Sequence, residues 1–209
     1  MRRILYLHGF ASGPSSSKAR YFRDRLERAG AQVEVPDLSA GDFEHLTLSS
    51  QLALIERLAN GEPLSLMGSS MGGYLAALYA ARHPEVERVV LLAPAFRFAK
   101  RWVEHLGPDK IEAWRTTGSL EVFHYALGGN RPLSYRIMED AAAYEDFPDF
   151  RQPVLIFHGE LDEVVPAEYS HQFAFTHPNV NLRVLHSGHE LLDVLDVMAE
   201  PIIQFLISA

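Results

Sequence analysis

Gly68-Ser69-Ser70-Met71-Gly72 sets a serine hydroxyl between two glycines, each two residues away. The apolar run Leu64-Ser65-Leu66-Met67 leads into it, and Gly73-Tyr74-Leu75-Ala76-Ala77-Leu78 reads as a helix leading out. Such a layout turns a strand into a helix within very few residues. It holds the central serine in strained backbone geometry and needs glycine where strand and helix would otherwise collide. The register points to Ser70, because Ser69 has Met67 and Met71 at the same offsets. With glycine and serine each near 7% of residues, the bare pattern turns up in about one chain of this size in fifteen, so its weight comes from its context and its partners.

A serine hydroxyl is a weak nucleophile at neutral pH. It needs a base within hydrogen-bond reach, and the base needs an acid to fix its tautomer and stabilise its cation. After an elbow of this kind, acid and histidine are expected in that order along the chain. The run Val154-Leu155-Ile156-Phe157 is followed by His158-Gly159-Glu160-Leu161-Asp162-Glu163-Val164-Val165-Pro166, which offers Glu160, Asp162 and Glu163 as acids. The run Leu182-Arg183-Val184-Leu185 is followed by His186-Ser187-Gly188-His189-Glu190. His189 is the expected base, since it lies past a glycine in a freer loop, whereas His186 abuts the strand. Both segments follow the carboxyl ends of expected strands, the edge on which open α/β sheets gather their functional loops.

Acyl transfer also needs donors for the oxygen that turns negative. One is the backbone N–H of Met71, after the serine; the other is assigned to the backbone N–H of Phe10, in the loop Leu7-His8-Gly9-Phe10-Ala11-Ser12-Gly13 that follows an early strand. That loop has neither G-x-G-x-x-G nor a lysine-containing phosphate loop, so a nucleotide is not its expected ligand. His186, His189 and Glu190 lack the H-E-x-x-H pattern and an evident third ligand, so no metal and no other cofactor is expected. His45, His83, His105, His124, His171 and His177 are expected to cap, pack or face water.

The chain has 209 residues, 47% hydrophobic and 22% charged, which suits one well-buried domain over residues 1–209. A net charge of −8 argues against a nucleic-acid partner. The absence of cysteine removes disulfides, a thiol nucleophile and thiolate metal sites. Met1-Arg2-Arg3 is followed by only four apolar residues, too few for a signal peptide, and no apolar run approaches a membrane span. A cytoplasmic location is expected.

Five apolar runs, Ile4-Leu7, Val33-Val35, Leu64-Met67, Val89-Leu92 and Val154-Phe157, and a more polar sixth, Leu182-Leu185, read as strands buried on both faces of a parallel sheet. Helical spacing lies between them. Ala19, Phe22, Leu26 and Ala29 form one stripe; Leu48, Leu52, Ile55 and Leu58 another; Leu191, Leu195, Met198, Ile202 and Phe205 a third, which Pro201 should kink or delay. The alternation predicts an α/β fold with right-handed crossovers and helices on both faces. Residues 97–150 break it. That stretch carries Trp102, Trp114, Phe123, Tyr125, Tyr135 and Tyr144, with helix-like pieces near Ala99-Leu106, Asp109-Thr116 and Tyr135-Tyr144 and a turn at Gly128-Gly129-Asn130. It is too long for a connecting loop and is expected to be a helical lid over Ser70.

Leu7-His8-Gly9-Phe10, Ser12-Gly13-Pro14-Ser15-Ser16-Ser17-Lys18-Ala19, Gly68-Ser69-Ser70-Met71-Gly72-Gly73-Tyr74, His158-Gly159 with Asp162 and Val165-Pro166, and Gly188-His189 resemble the small α/β-hydrolase-fold serine esterases. The opening is most similar to the YqiA-like bacterial esterases. Glu112-Ala113-Trp114-Arg115-Thr116-Thr117-Gly118 and Asp140-Ala141-Ala142-Ala143-Tyr144 look more like the acyl-protein thioesterase branch. The resemblance covers nearly the whole chain. It implies a shortened, mainly parallel sheet of about six strands without the usual first hairpin, Ser70 as nucleophile, Asp162 as acid, His189 as base, and Phe10 with Met71 as backbone donors. The expected activity is hydrolysis of carboxylic esters or thioesters of small to medium apolar acyl groups, with a small-molecule substrate. An acyltransferase on the same residues and a non-catalytic hydrolase-fold binding protein are the alternatives.

Overall fold

The computed structural model describes residues 2–207. Its first part alternates strand and helix: β1 (Arg3–Leu7), α1 (Ser17–Arg28), β2 (Gln32–Glu34), α2 (Leu48–Ala59), β3 (Leu64–Ser69), α3 (Met71–Ala80) and β4 (Val86–Leu92). A mixed segment follows, with α4 (Phe98–Leu106), α5 (Pro108–Thr117), β5 (Ser119–His124), β6 (Gly129–Ser134) and α6 (Arg136–Ala141). The alternation then resumes with β7 (Val154–Gly159), α7 (Ala167–Thr176), β8 (Val180–Leu185), a 3-10 turn at Leu192–Val194 and α8 (Leu195–Ile207).

Six strands form one sheet in the order β2-β1-β3-β4-β7-β8, every pair parallel. Alternate residues of each strand enter opposite layers, as the pleat requires. Leu5, Leu7, Leu66, Leu91 and Ile156 pack with α2, α3 and the segment between β4 and β7. Ile4, Tyr6, Met67, Val90, Leu155 and Phe157 pack with Phe22 and Leu26 of α1 and Met198 and Ile202 of α8. Burial on both faces explains why these strands read as continuous apolar runs. The strand order reverses between β1 and β3, and the crevice outside their carboxyl ends is where open α/β sheets bind ligands.

Two expectations need correction. Pro201 does not delay the last helix, which already begins at Leu195 and holds the proline inside its run to Ile207. The carbonyl that loses its donor belongs to Val197, an exposed residue, so water can reach it. The segment from 97 to 150 is not purely helical, because β5 and β6 pair as an antiparallel hairpin in register from Ser119 opposite Ser134 to His124 opposite Gly129. Gly129-Asn130 therefore opens a strand, and the turn falls earlier, ending at Gly128 with φ +64°. Strand β6 hid because Gly-Asn-Arg-Pro-Leu-Ser has no β-branched residue, and its proline is tolerated only on an edge. The hairpin reaches back to the β1 loop, where Tyr125 N–H donates to the Ala11 carbonyl at 2.8 Å.

Helix α3 is pressed against the sheet at the elbow. A Cβ at Gly72 would lie 2.1 Å from the Leu7 carbonyl oxygen, and one at Gly68 would lie 2.2 Å from the Gly72 oxygen. Gly188, by contrast, has nothing within 4 Å of the corresponding position. Gly72→Ala should therefore lower the urea unfolding free energy by at least about 3 kcal/mol, while Gly188→Ala should stay within about 0.5 kcal/mol of the parent chain.

Candidate active site

Ser70 has φ 52° and ψ −117°, a conformation that an L-residue holds only when its surroundings impose it. Three hydrogen bonds do so here. Ser70 N–H donates to the Leu92 carbonyl at 2.9 Å, and the Ser70 carbonyl accepts from Tyr74 N–H at 3.1 Å and Ala95 N–H at 3.0 Å. Ser70 is thus tied to β4, to α3 and to the turn after β4, and stands at the carboxyl end of β3.

The acid and base loops meet across another glycine. A Cβ at Gly159 would lie 2.3 Å from the Ser187 carbonyl oxygen, so only glycine lets the end of β7 lie so close to the loop after β8. Glu160 N–H donates to the Leu185 carbonyl at 2.9 Å and Leu161 N–H to the Ser187 carbonyl at 3.0 Å, fixing the two loops together. His189 Nδ1 then lies 2.7 Å from Asp162 Oδ2, and His189 Nε2 lies 3.0 Å from Ser70 Oγ. A carboxylate only accepts, so Nδ1 carries the ring hydrogen and Nε2 is free to accept from the serine hydroxyl. Ser70, His189 and Asp162 form one continuous hydrogen-bonded row.

The rivals stand elsewhere. His186 is exposed and paired with Glu160, and the Glu163 side chain faces solvent. Asp162 is fully buried as a side chain. Burial works to raise its pKa, but hydrogen bonds from His158 and His189, the charge of His189 and the Val165 N–H outweigh burial and hold the carboxyl well below the usual carboxylate range. Lys18, buried at the start of α1, has its ammonium 3.9 Å from the Glu190 carboxylate. Burial pushes the Lys18 pKa down, against the pull of Glu190 and Asp162.

Phe10 follows Gly9, whose Cβ position would be only 3.5 Å from the Ser70 Cβ, so the β1 loop lies directly beside the serine. His8 controls the orientation of the peptide between Gly9 and Phe10. Its Nε2 accepts from Leu38 N–H at 3.1 Å, which leaves the hydrogen on Nδ1 to donate to the Gly9 carbonyl at 2.9 Å. In a planar trans peptide the carbonyl and the next N–H point opposite ways, so this bond turns Phe10 N–H away from His8. Burial pushes the His8 pKa below its ordinary value and favours the neutral ring that this arrangement requires. Among the described residues, neither Phe10 N–H nor Met71 N–H is engaged by a protein acceptor.

Sequence reasoning missed His8 and His158, the second imidazole on Asp162. Their only sequence signal is a histidine followed by glycine at the end of a strand, occurring twice. Of the aromatic residues singled out in 97–150, Trp114 is core, 1% exposed, with its indole N–H donating to the Leu133 carbonyl at 2.9 Å. Phe123 and Tyr125 sit exposed on the hairpin. Trp102 alone of these packs on the site, edge-on to the Phe10 ring with centroids 5.4 Å apart. Among the described residues no three His, Asp or Glu side chains converge as a metal site, and no helix is long and apolar enough to cross a membrane.

Sheet order, elbow and crevice define an α/β-hydrolase fold. The chain belongs to the uncharacterised protein family UPF0227, whose model matches residues 3–207. It is 24% identical over 198 residues to the monoacylglycerol lipase abhd6-B of Xenopus laevis, covering 90% of this chain and 56% of that protein. The chain thus spans little more than half the length of the curated relative it matches. Among solved structures it is similar to Est1E of Butyrivibrio proteoclasticus with ferulic acid bound, at TM-score 0.84 and 22% identity, covering 99% of this chain and 88% of that one. It is also similar to mouse alpha/beta hydrolase domain-containing protein 10, at TM-score 0.80 and 20% identity over 96% and 87% of the two chains.

The lowered pKa of Asp162 has a consequence for folding. The unfolded carboxyl titrates near about 3.9 and the folded one lower, so in that range the unfolded chain binds more protons. The stabilisation is fully present above about pH 5 and is lost as the pH falls toward the folded value. Between about pH 5 and pH 3, Asp162→Asn should lose at least about 1 kcal/mol less unfolding free energy than the parent chain, measured by urea titration at each pH.

Proposed function

We propose that this chain is a serine hydrolase that cleaves carboxylic esters or thioesters of small to medium apolar acyl groups through an acyl-enzyme. The observation that carries the reading is the row from Ser70 Oγ through His189 to Asp162 Oδ2, with bonds of 3.0 and 2.7 Å, ending on a serine in strained backbone. His189 Nε2 takes the Ser70 proton as Oγ attacks the carbonyl carbon, and Asp162 stabilises the resulting imidazolium. The carbonyl oxygen, now negative, takes the Phe10 and Met71 N–H groups, each such donor being worth about 3 to 4 kcal/mol of barrier. Collapse of the tetrahedral species breaks the bond to the alcohol or thiol, which leaves with the proton from His189. Water then gives a proton to His189, attacks the acyl group and frees the acid as Ser70 recovers its hydrogen.

The acyl preference rests on the rings beside Ser70. Phe10 packs on Trp102 and on Phe43, each at 5.4 Å between centroids, so the wall next to the nucleophile is aromatic. The segment 97–150 supplies Trp102 and, through the hairpin, covers the β1 loop, which supports its reading as a lid within a single domain. A lipase of monoacylglycerols among the relatives agrees with a small ester substrate.

Ser70→Ala should lower kcat by at least about a thousandfold on any ester that the parent hydrolyses; activity near that of the parent would refute the nucleophile. Across nitrophenyl esters of two to twelve carbons, kcat/KM should rise with apolar chain length into the medium range before falling. A preference for charged or very polar acids would refute the aromatic acyl wall.

A further inference from the structure

The proposed reaction needs one histidine on Asp162, and the structure places two there. His158, at the end of β7, is fully buried, and its Nε2 lies 3.1 Å from Asp162 Oδ2, the same oxygen that His189 Nδ1 approaches. Asp162 Oδ1 accepts from Val164 N–H at 2.9 Å and Val165 N–H at 2.7 Å. The carboxylate therefore has four donors, two main-chain amides on one oxygen and two imidazoles on the other.

The hydrogens of the His158 ring follow from its partners. Nε2 is also 2.9 Å from the Val165 carbonyl oxygen, which can only accept, so Nε2 carries hydrogen and shares it between that carbonyl and Oδ2. Nδ1 is 2.7 Å from Ser170 Oγ on α7, and Ser170 is itself fully buried. The Ser170 hydroxyl has no other acceptor among the described residues, so it donates to Nδ1 and locks the Nε2–H tautomer. A phenyl ring would fill the same space; the imidazole adds a donor aimed at the acid.

We propose that His158, held in one tautomer by Ser170, is a positioning residue that fixes Asp162 Oδ2 and divides its negative charge between two imidazoles, thereby setting the basicity of His189. The inference rests on the reading of Ser70, His189 and Asp162 as the reacting row. A chain without the His158 donor leaves all of the charge on Oδ2 to the His189 ring, which favours its imidazolium form. The other charged groups near the carboxylate are Lys18 from α1 and, beyond it, Glu190, together with Arg101 of α4, which donates to the Val164 carbonyl and pairs with Glu104; Glu160 and His186 pair with one another at the surface, and Glu163 faces solvent. None of these hydrogen-bonds to Oδ2.

The test is a 15N imidazole titration of the full chain with its His158→Phe, His158→Gln and Ser170→Ala variants, beside kcat/KM against pH. In His158→Phe the His189 midpoint and the acid limb of kcat/KM should both move up by about half a unit or more, so that activity on that limb falls about threefold at a given pH while KM holds. His158→Gln, which keeps an N–H at the same reach, should return both to within about 0.2 unit of the parent, and Ser170→Ala should shift them the same way by less. A folded His158→Phe chain with an unmoved His189 midpoint would overturn the proposal, whatever its kcat, because a packing defect lowers kcat without moving that midpoint. If His158→Phe does not fold, two results would also overturn it: His158 in the parent carrying its hydrogen on Nδ1, or no shift in Ser170→Ala. The titration needs no turnover, so a chain that proves inactive on every ester would end the hydrolase reading and leave this result standing or falling by itself.

Discussion

Close contact of bare backbone at the carboxyl ends of β1, β3 and β7 is the constraint on which this structure depends. Gly68 and Gly72 let α3 start against the Leu7 carbonyl, and Gly159 lets the end of β7 meet the loop after β8, with prospective Cβ positions 2.1 to 2.3 Å from carbonyl oxygens. No other residue fits at that range. Because α3 lies so near, Ser70 is held at positive φ, with its hydroxyl 3.0 Å from His189 Nε2. The meeting of β7 and β8 ends brings Asp162 within 2.7 Å of a histidine 27 residues further on. The geometry of the site is thus a property of main-chain packing, with side chains placed by it.

The second organising feature is how buried polar groups are satisfied around that backbone. Asp162 is a carboxylate removed from water, tolerable because four donors surround it. His8 and His158 do comparable work at two strand ends, each ring fixed by a hydrogen bond on either nitrogen: His8 by Leu38 and Gly9, His158 by Ser170 with Val165 and Asp162. One histidine fixes the peptide between Gly9 and Phe10, beside Ser70, and the other hydrogen-bonds to the acid. Fixed rings of this kind carry geometry from the sheet to the reacting groups without themselves reaching the serine.

What the sequence reveals and what it hides follow from the range of the interactions. The central strands β1, β3, β4 and β7 were legible because burial on both faces makes each a short, nearly continuous apolar run, the partly exposed edge strands β2 and β8 because they keep shorter or more polar versions of it, and Ser70 because a strand–glycine–helix signature is local. The placement of His189 over His186 was readable from a single glycine. Asp162 could not be separated from Glu160 and Glu163 by the residues alone, since the choice depends on a contact between two loops. The β5–β6 hairpin was illegible because Pro132 and Asn130 carry no strand preference and its pairing is decided by contacts with the β1 loop and α2 region, where Ser134 N–H donates to the Glu44 carbonyl at 2.8 Å. Trp114 and Phe123 looked alike in sequence, yet one is core and the other faces solvent.

The central claim is that one serine among all those in the chain is activated, and that a remote histidine activates it. Incubation of the folded chain with a fluorophosphonate, followed by peptide mapping of the adduct in the parent and in His189→Ala, tests this directly. The account predicts a single adduct on Ser70, formed at least about a thousandfold more slowly without His189. Labelling at another serine, no labelling of the folded chain, or a rate indifferent to His189 would contradict it.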